Sequence, residues 1–550
     1  IRAYFWAQNN TQIIYLQDKG GDENWRAYTV DFDTQAERCL TPFDGVQARI
    51  VAVDQKFPNE ILVAINNRNP QLHDVHRADL ATGKLTLEAQ NDDGFLDWKA
   101  DHDFKIRGGI KFDPQGGSNL YVRDNTESAW RVLAKWSPQD ALTSGPIAFT
   151  PDNRGLYIMS STGSNAGELR MIEFASAKET TLGSDKQYDV SDALIHPSKH
   201  TVQAVAFNKD RTEWTVLDPS IKDDFDALKS IRRGDVSVIN RDHADQTWLV
   251  AFNADDGPVY YYAYDRAKKA GTYLFANRKA LENIKLAKME PVQFDARDGL
   301  TVRGYLTTPL GVEPKNLPMV LNVHGGPWAR DTWGYDGEAQ WLANRGYAVL
   351  QVNFRGSTGY GKEFLNAANR EWGGKMHNDL IDGVNWAVKK GIADPKRVGI
   401  YGGSYGGYAT LVGLTFTPET FTCGVDIVGP SNLITFQETI PPYWKPIESV
   451  LWDRVGHPEK DADFLKSRSP LFHVDKITKP LLIAQGANDP RVKKSESLQI
   501  VEAMRKAGKT VEYVEYADEG HGFAKPENRL DFYAKAEKFL AQHLKGRAEP

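Results

Sequence analysis

The stretch Val398-Gly399-Ile400-Tyr401-Gly402-Gly403-Ser404-Tyr405-Gly406-Gly407-Tyr408 decides how the rest of the chain is read. An apolar strand, Arg397 to Tyr401, runs into a G-x-S-x-G string at the point where a helix should begin, the context in which that string has mechanical meaning. Gly402 and Gly406 omit the β-carbons that would collide where the chain doubles back. Ser404 is therefore expected in a strained turn at the carboxyl edge of a sheet. Glycine-rich loops match five residues by chance, so the reading of Ser404 as a nucleophile rests on this position and on the partners that follow.

A serine hydroxyl near neutral pH needs a base to take its proton and a third group to orient that base. In a strand-turn-helix architecture of this kind the chain order is serine, acid, histidine. Four histidines follow Ser404: His457, His473, His521 and His543. His457 lies in a polar stretch, His473 follows Pro470-Leu471-Phe472, and His543 falls inside a terminal helical pattern. His521, in Asp518-Glu519-Gly520-His521-Gly522 just past a strand, is the base by position and elimination. For the acid, Asp489 follows the strand Leu481 to Gln485, at a carboxyl end where catalytic groups gather in open α/β sheets. Asp426, within an apolar strand, is its main rival, and Asp518 a local alternative. The oxyanion needs backbone donors. Tyr405 supplies one, and His324-Gly325-Gly326-Pro327 offers the second, with Gly326 chosen ahead of Gly325.

Outward from this site, extended and helical runs alternate from about Met289, the pattern of a mostly parallel sheet covered by helices. Strands are expected at Glu290–Phe294, Leu300–Thr307, Pro318–Val323, Ala348–Asn353, Arg397–Tyr401, Cys423–Val428, Pro480–Gln485 and Val511–Tyr516. Helices are expected at Asp379–Lys390 and Arg529–Leu544. Residues 287–550 are thus predicted to form an α/β-hydrolase domain. Residues 1–286 read as all-β, with short runs between Gly, Asn, Asp and Pro clusters. They fall into units of roughly 40 to 50 residues, the length of a four-stranded propeller blade. About six such units are visible, and a pair of β-sandwiches is the alternative.

A net charge of −6 gives no basic excess for phosphate backbones, so nucleic acid is not an expected partner. No apolar run approaches the roughly 20 residues of a membrane helix, and a soluble chain, cytoplasmic or periplasmic, is expected. Cys39 and Cys423, the only two cysteines, exclude a disulfide framework and read as buried free thiols. Gly356-Ser357-Thr358-Gly359-Tyr360-Gly361-Lys362 has phosphate-loop spacing, but Glu363 stands where a Mg²⁺-binding hydroxyl belongs. His73 and His76 read as a solvated blade edge rather than a metal site. Neither metal nor cofactor is expected. Pro441-Pro442-Tyr443-Trp444 reads equally as a specificity pocket or as aromatic core.

The strings Val323-His324-Gly325-Gly326-Pro327, Asn353-Phe354-Arg355-Gly356-Ser357-Thr358-Gly359-Tyr360-Gly361, Gly402 to Tyr408 and Asn488-Asp489-Pro490-Arg491-Val492 resemble the prolyl oligopeptidase family of serine peptidases, nearest its bacterial acylaminoacyl-peptidase-like branch. The resemblance covers the C-terminal domain closely and the N-terminal half in texture. It implies a triad of Ser404, Asp489 and His521 acting on short or unfolded peptides, a propeller that caps the site, and an Arg491 that binds a substrate carbonyl. It also implies a further blade and segment ahead of Ile1. Dipeptidyl peptidases of the family hold the substrate amine with adjacent glutamates, and no Glu-Glu pair occurs here, which argues against a strict dipeptidyl aminopeptidase. Oligopeptidase or acylaminoacyl-peptidase activity is the leading expectation, with esterase activity, dipeptidyl aminopeptidase activity and non-catalytic binding as alternatives. Self-association is left open.

Overall fold

Strand Glu60–Asn69 shows why the N-terminal repeats stack. Successive side chains of a strand point to opposite faces, and here both faces are buried. Ile61, Val63 and Ile65 pack with Ile14, Ala27 and Leu40 of the preceding repeat, while Leu62 and Ala64 pack with Phe95, Trp98 and Phe104 of the next. A meander covered on both sides is a propeller blade. The computed structural model, which describes residues 1–549, contains six of them. Five are four-stranded and begin at Ala3, Ala48, Asp97, Gly145 and Asp235. The fifth in chain order has three strands from Val190 to Val216. There the chain continues into the helix Lys222–Ile231, whose Phe225 and Leu228 bury against Trp248 and Val250 of the sixth blade.

The change of texture at Met289 coincides with the first strand of an eight-stranded sheet. Its strands are β1 (Met289–Asp295), β2 (Thr301–Thr307), β3 (Leu317–Val323), β4 (Ala348–Asn353), β5 (Ala393–Gly403), β6 (Cys423–Ile427), β7 (Leu481–Gly486) and β8 (Glu512–Tyr516). They lie in the order β1-β2-β4-β3-β5-β6-β7-β8, antiparallel up to the β2–β4 pair and parallel from there on. Strands β3, β4 and β7 are buried at every residue, as strands covered on both faces must be. The helices that matter here are α1 (Gly337–Asn344), α2 (Lys375–Lys389), α3 (Tyr405–Phe416) and α4 (Pro526–Leu544). Helix α4 lays Phe532, Ala536, Phe539 and Leu540 onto Val425, Leu482 and Ala484 of the sheet. Each fully buried side chain of this size contributes about 1.5–3 kcal/mol.

Compactness divides the chain differently from sequence texture. One unit comprises Ile1–Ser184, Lys199–Thr201 and Ile440–Asp453; the other comprises Asp185–Ser198, Val202–Thr439 and the chain from Arg454 onwards. The last two blades therefore cluster with the eight-stranded sheet, and Tyr443 packs in the first unit beneath the Arg49 guanidinium. Two expectations need correction. His73 is not on a solvated edge. It is 5% exposed in a central strand, and burial pushes its imidazole down to about 3. Of the two free thiols only Cys423 is buried, Cys39 being half-exposed at the end of a strand. Among the described residues no helix is long and apolar enough to cross a membrane.

Candidate active site

Ser404 has φ 60° and ψ −119°, a left-handed conformation that costs a non-glycine residue about 1–3 kcal/mol. The surroundings leave the backbone no other path. A β-carbon on Gly406 would lie 2.1 Å from the Val323 carbonyl oxygen, and one on Gly402 would lie 2.7 Å from the Gly406 backbone. The Ser404 N–H donates to the Ile427 carbonyl at 2.8 Å, and the Ser404 carbonyl accepts from the Tyr408 N–H at 3.0 Å. The elbow is thus clamped between the ends of β3 and β6, and Ser404 takes the position just before the first turn of α3. Tyr405, the first residue of α3, has an N–H with no carbonyl one turn earlier in the helix to bond, at the positive end of the helix dipole.

Beyond β8, the chain forms a tight Gly520-His521-Gly522 turn in which Gly522 adopts φ 120°. His521 Nδ1–H donates to Asp489 Oδ2 at 2.7 Å. The other carboxylate oxygen, Oδ1, accepts the N–H groups of Arg491 and Val492 at 2.9 and 3.0 Å, so the turn after β7 holds Asp489 rigidly, 2% exposed. A carboxylate accepting from Nδ1 fixes the tautomer and leaves Nε2 as the basic ring atom. Ser404 and His521 line one cavity of about 320 Å³, together with Val323, Gly325, Gly403 and Val428.

The other candidates have other partners. His457 accepts from the Glu459 and Lys460 N–H groups, His473 meets the Ser467 carbonyl at 3.2 Å, and His543 packs on Phe539. Asp518 is engaged by Lys525 and Asn528. Asp426 is fully buried and accepts from the Gly429 N–H at 2.9 Å, and burial pushes its carboxyl up to about 8. In the glycine loop of 356–362, the Gly361 N–H donates to the Asp189 carboxylate at 3.3 Å, where a phosphate-binding loop would present its amides to a ligand.

The Gly325–Gly326 peptide lies beside the serine: a β-carbon on Gly325 would be 4.0 Å from Ser404 Oγ. Its carbonyl accepts from His324 Nδ1–H at 2.7 Å, and in a trans peptide the Gly326 N–H then points the opposite way. Sequence reasoning passed over His324 itself. Its ring stacks on Phe354 and its Nε2 meets Ser357 Oγ at 3.0 Å; burial pushes it down to about 4, so it is neutral. Sequence reasoning also missed the carboxyls that line the cavity, Asp331, Asp336 and Glu338, and a group in the first unit formed by Asp54, His102 and His200. Neither carries a local motif; both arise only when distant loops meet.

A model of the Prolyl oligopeptidase family matches residues 333–547. Over 100% of its length the chain is 49% identical to dipeptidyl aminopeptidase BIII of Pseudoxanthomonas mexicana, spanning 81% of that protein. It is 37% identical to dipeptidyl peptidase family member 6 of Caenorhabditis elegans, again over 100% of this chain and 80% of the relative. Acylamino-acid-releasing enzyme 1 of Oryza sativa subsp. japonica is 28% identical over 41% of this chain and 30% of its own length. Among solved structures, a puromycin-hydrolyzing peptidase of Mycobacterium tuberculosis superposes with a TM-score of 0.78 at 21% identity, covering 98% of this chain and 85% of the other.

Proposed function

The chain belongs to the prolyl oligopeptidase family of serine peptidases, and from that premise we propose that Ser404, His521 and Asp489 form its catalytic triad and cleave short peptides through an acyl-enzyme. Ser404 Oγ attacks the scissile carbonyl carbon while its proton passes to His521 Nε2. The N–H groups of Tyr405 and Gly326 hold the oxygen as it gains charge. The adduct collapses, the C–N bond breaks, and His521 returns the proton to the departing amine; water then repeats the sequence and frees Ser404. Asp489 orients the imidazole and stabilises it when charged. Arg491, in the turn that holds Asp489, binds a backbone carbonyl of the substrate.

The observation that carries this reading is the 2.7 Å hydrogen bond from His521 to a buried Asp489, in a loop that shares one cavity with Ser404. Ser404→Ala is expected to lower kcat on a chromogenic peptide by about 10⁴-fold or more at unchanged Tm. Turnover equal to that of the parent enzyme would reject the assignment.

For the cleavage mode, release of dipeptides from a free amino terminus ranks first, because two relatives matched over the whole chain are named as dipeptidyl peptidases. Removal of acylated residues ranks second, supported by relatives that align over less than half of this chain. The given residues contain no Glu-Glu pair, so among them a dipeptidyl activity would hold the amine by other groups. Mass spectrometry of a digest of paired free-amino and N-acetylated peptides separates the modes. Dipeptide products from the free-amino set alone support the first, acylated single residues the second, and internal cuts overturn both.

A further inference from the structure

The group formed by Asp54, His102 and His200 takes no part in the acyl transfer proposed above. All three residues belong to the first compact unit, to which Lys199–Thr201 contributes the second histidine. Each sits in the turn that joins the first two strands of its blade. Asp54 lies between Ala48–Ala52 and Glu60–Asn69, His102 between Asp97–Ala100 and Ile106–Phe112, and His200 between Val190–Ile195 and Val202–Asn208. One carboxylate oxygen and two ring nitrogens come within 4.8 Å of one another, and all three residues are partly buried. The imidazoles of His102 and His200 stack with 3.7 Å between ring centres, 17° from parallel.

His102 is held in a form that can ligate. A carbonyl oxygen only accepts, so the 3.2 Å contact between His102 Nε2 and the Thr150 carbonyl sets the proton on Nε2 and leaves the lone pair of the neutral ring on Nδ1. The His102 backbone N–H donates to Asn153 Oδ1 at 3.1 Å, so ring and backbone are both anchored to the same turn of the fourth blade. Metal-binding histidines are oriented in this way, the second ring nitrogen donating to a carbonyl or carboxylate. Two charged imidazoles at the separation of this pair would repel, whereas neutral rings stack, and the neutral ring is the ligand. The carboxylate is also placed. Asp54 Oδ1 accepts the Lys56 N–H at 2.8 Å and the Lys56 ammonium turns to Asp103, while a carboxylate keeps lone pairs for a further partner.

Two imidazoles and a carboxylate suit zinc or another divalent transition ion, whereas calcium and magnesium take sets of oxygens. A tetrahedral zinc about 2.0–2.2 Å from each ligand sets the ligands about 3.3 Å apart, which small side-chain rotations supply, and solvent completes the fourth position. We infer that Asp54, His102 and His200 bind one divalent transition ion of the zinc class, which ties together three turns that are far apart in the chain. The inference does not depend on the acyl-enzyme reading.

The test uses the whole chain after treatment with a chelator and dialysis. Calorimetric titration with zinc chloride is expected to show one tight equivalent, and cobalt(II) in its place should give the visible absorption of a four-coordinate ion. His102→Gln, His200→Gln and Asp54→Asn should each weaken zinc binding by roughly 10- to 100-fold or more, with the metal-free circular dichroism spectrum of the parent. On the parent itself, zinc should protect His102 and His200 from diethylpyrocarbonate, read by peptide mass spectrometry, so that the site is tested even where a variant fails to fold. Absence of a tight equivalent in the parent, or equal modification of both histidines with and without zinc, overturns the inference. Tight binding that persists in His102→Gln and is lost in His521→Ala also overturns it, by moving the ion to the histidine beside Asp489.

Discussion

A β-carbon on Gly486 would lie 2.0 Å from the carbonyl oxygen of Gly520, so the last residue of β7 and the residue ahead of His521 can approach only because the first has no side chain. That contact seats the histidine loop on the turn that carries Asp489. Gly486→Ala must push the loop outward and lengthen the bond between His521 and Asp489. The expected result is a loss of about 10²-fold in kcat with Ser404 and both partners intact. Peptide turnover read beside far-UV circular dichroism checks it, and full activity in a folded variant would show that the loop adapts.

Asp489→Asn keeps the shape of the side chain but presents an amide where His521 Nδ1 needs an acceptor. The ring then favours the wrong tautomer, and kcat should fall by about 10⁴-fold while labelling of the folded protein's Ser404 by a fluorophosphonate slows in parallel. Retained kcat would transfer the orienting role to another group.

His324 braces the Gly325–Gly326 peptide through its Nδ1, and stacks on Phe354. His324→Phe preserves the ring but not the hydrogen bond. If the peptide is the second oxyanion donor, kcat should drop by roughly 10- to 10³-fold with little change in KM, since the donor acts on charge that develops only in the transition state. A change confined to KM would place the peptide in ground-state binding instead.

The pH dependence of stability has a marker in Asp426, whose folded-state carboxyl is held near 8 by burial, against an ordinary value of 3.8. A raised carboxyl pKa favours folding fully below the ordinary value, where both states are protonated. That contribution is lost progressively as pH rises towards 8, because the unfolded chain releases a proton that the folded one keeps. Asp426→Asn removes the titration. The variant should gain stability relative to the parent on going from pH 4 to pH 8 in urea unfolding, and a difference independent of pH would refute the buried, protonated Asp426.

The alternation of strands, glycines and helices after Met289 was enough to read the hydrolase sheet, because period-2 and helical patterns are local properties of the chain. Ser404 was legible for the same reason: the glycines that permit its φ of 60° are its sequence neighbours. Burial was less legible. His73 looked solvated because polar residues flank it, whereas the strand it occupies lies inside a blade.

By itself the amino-acid order determined the blade repeat, the parallel sheet and the elbow, and it proposed His521 and Asp489 by position. Only the tertiary structure decided which carboxylate meets which imidazole, which peptide His324 braces, and that Asp331, Asp336, Glu338 and Gln351 line one cavity with the serine. The physical reason is that a hydrogen bond or a shared cavity depends on distance and direction between groups far apart in the chain. The sequence pattern records only which face each residue offers, not what stands opposite it.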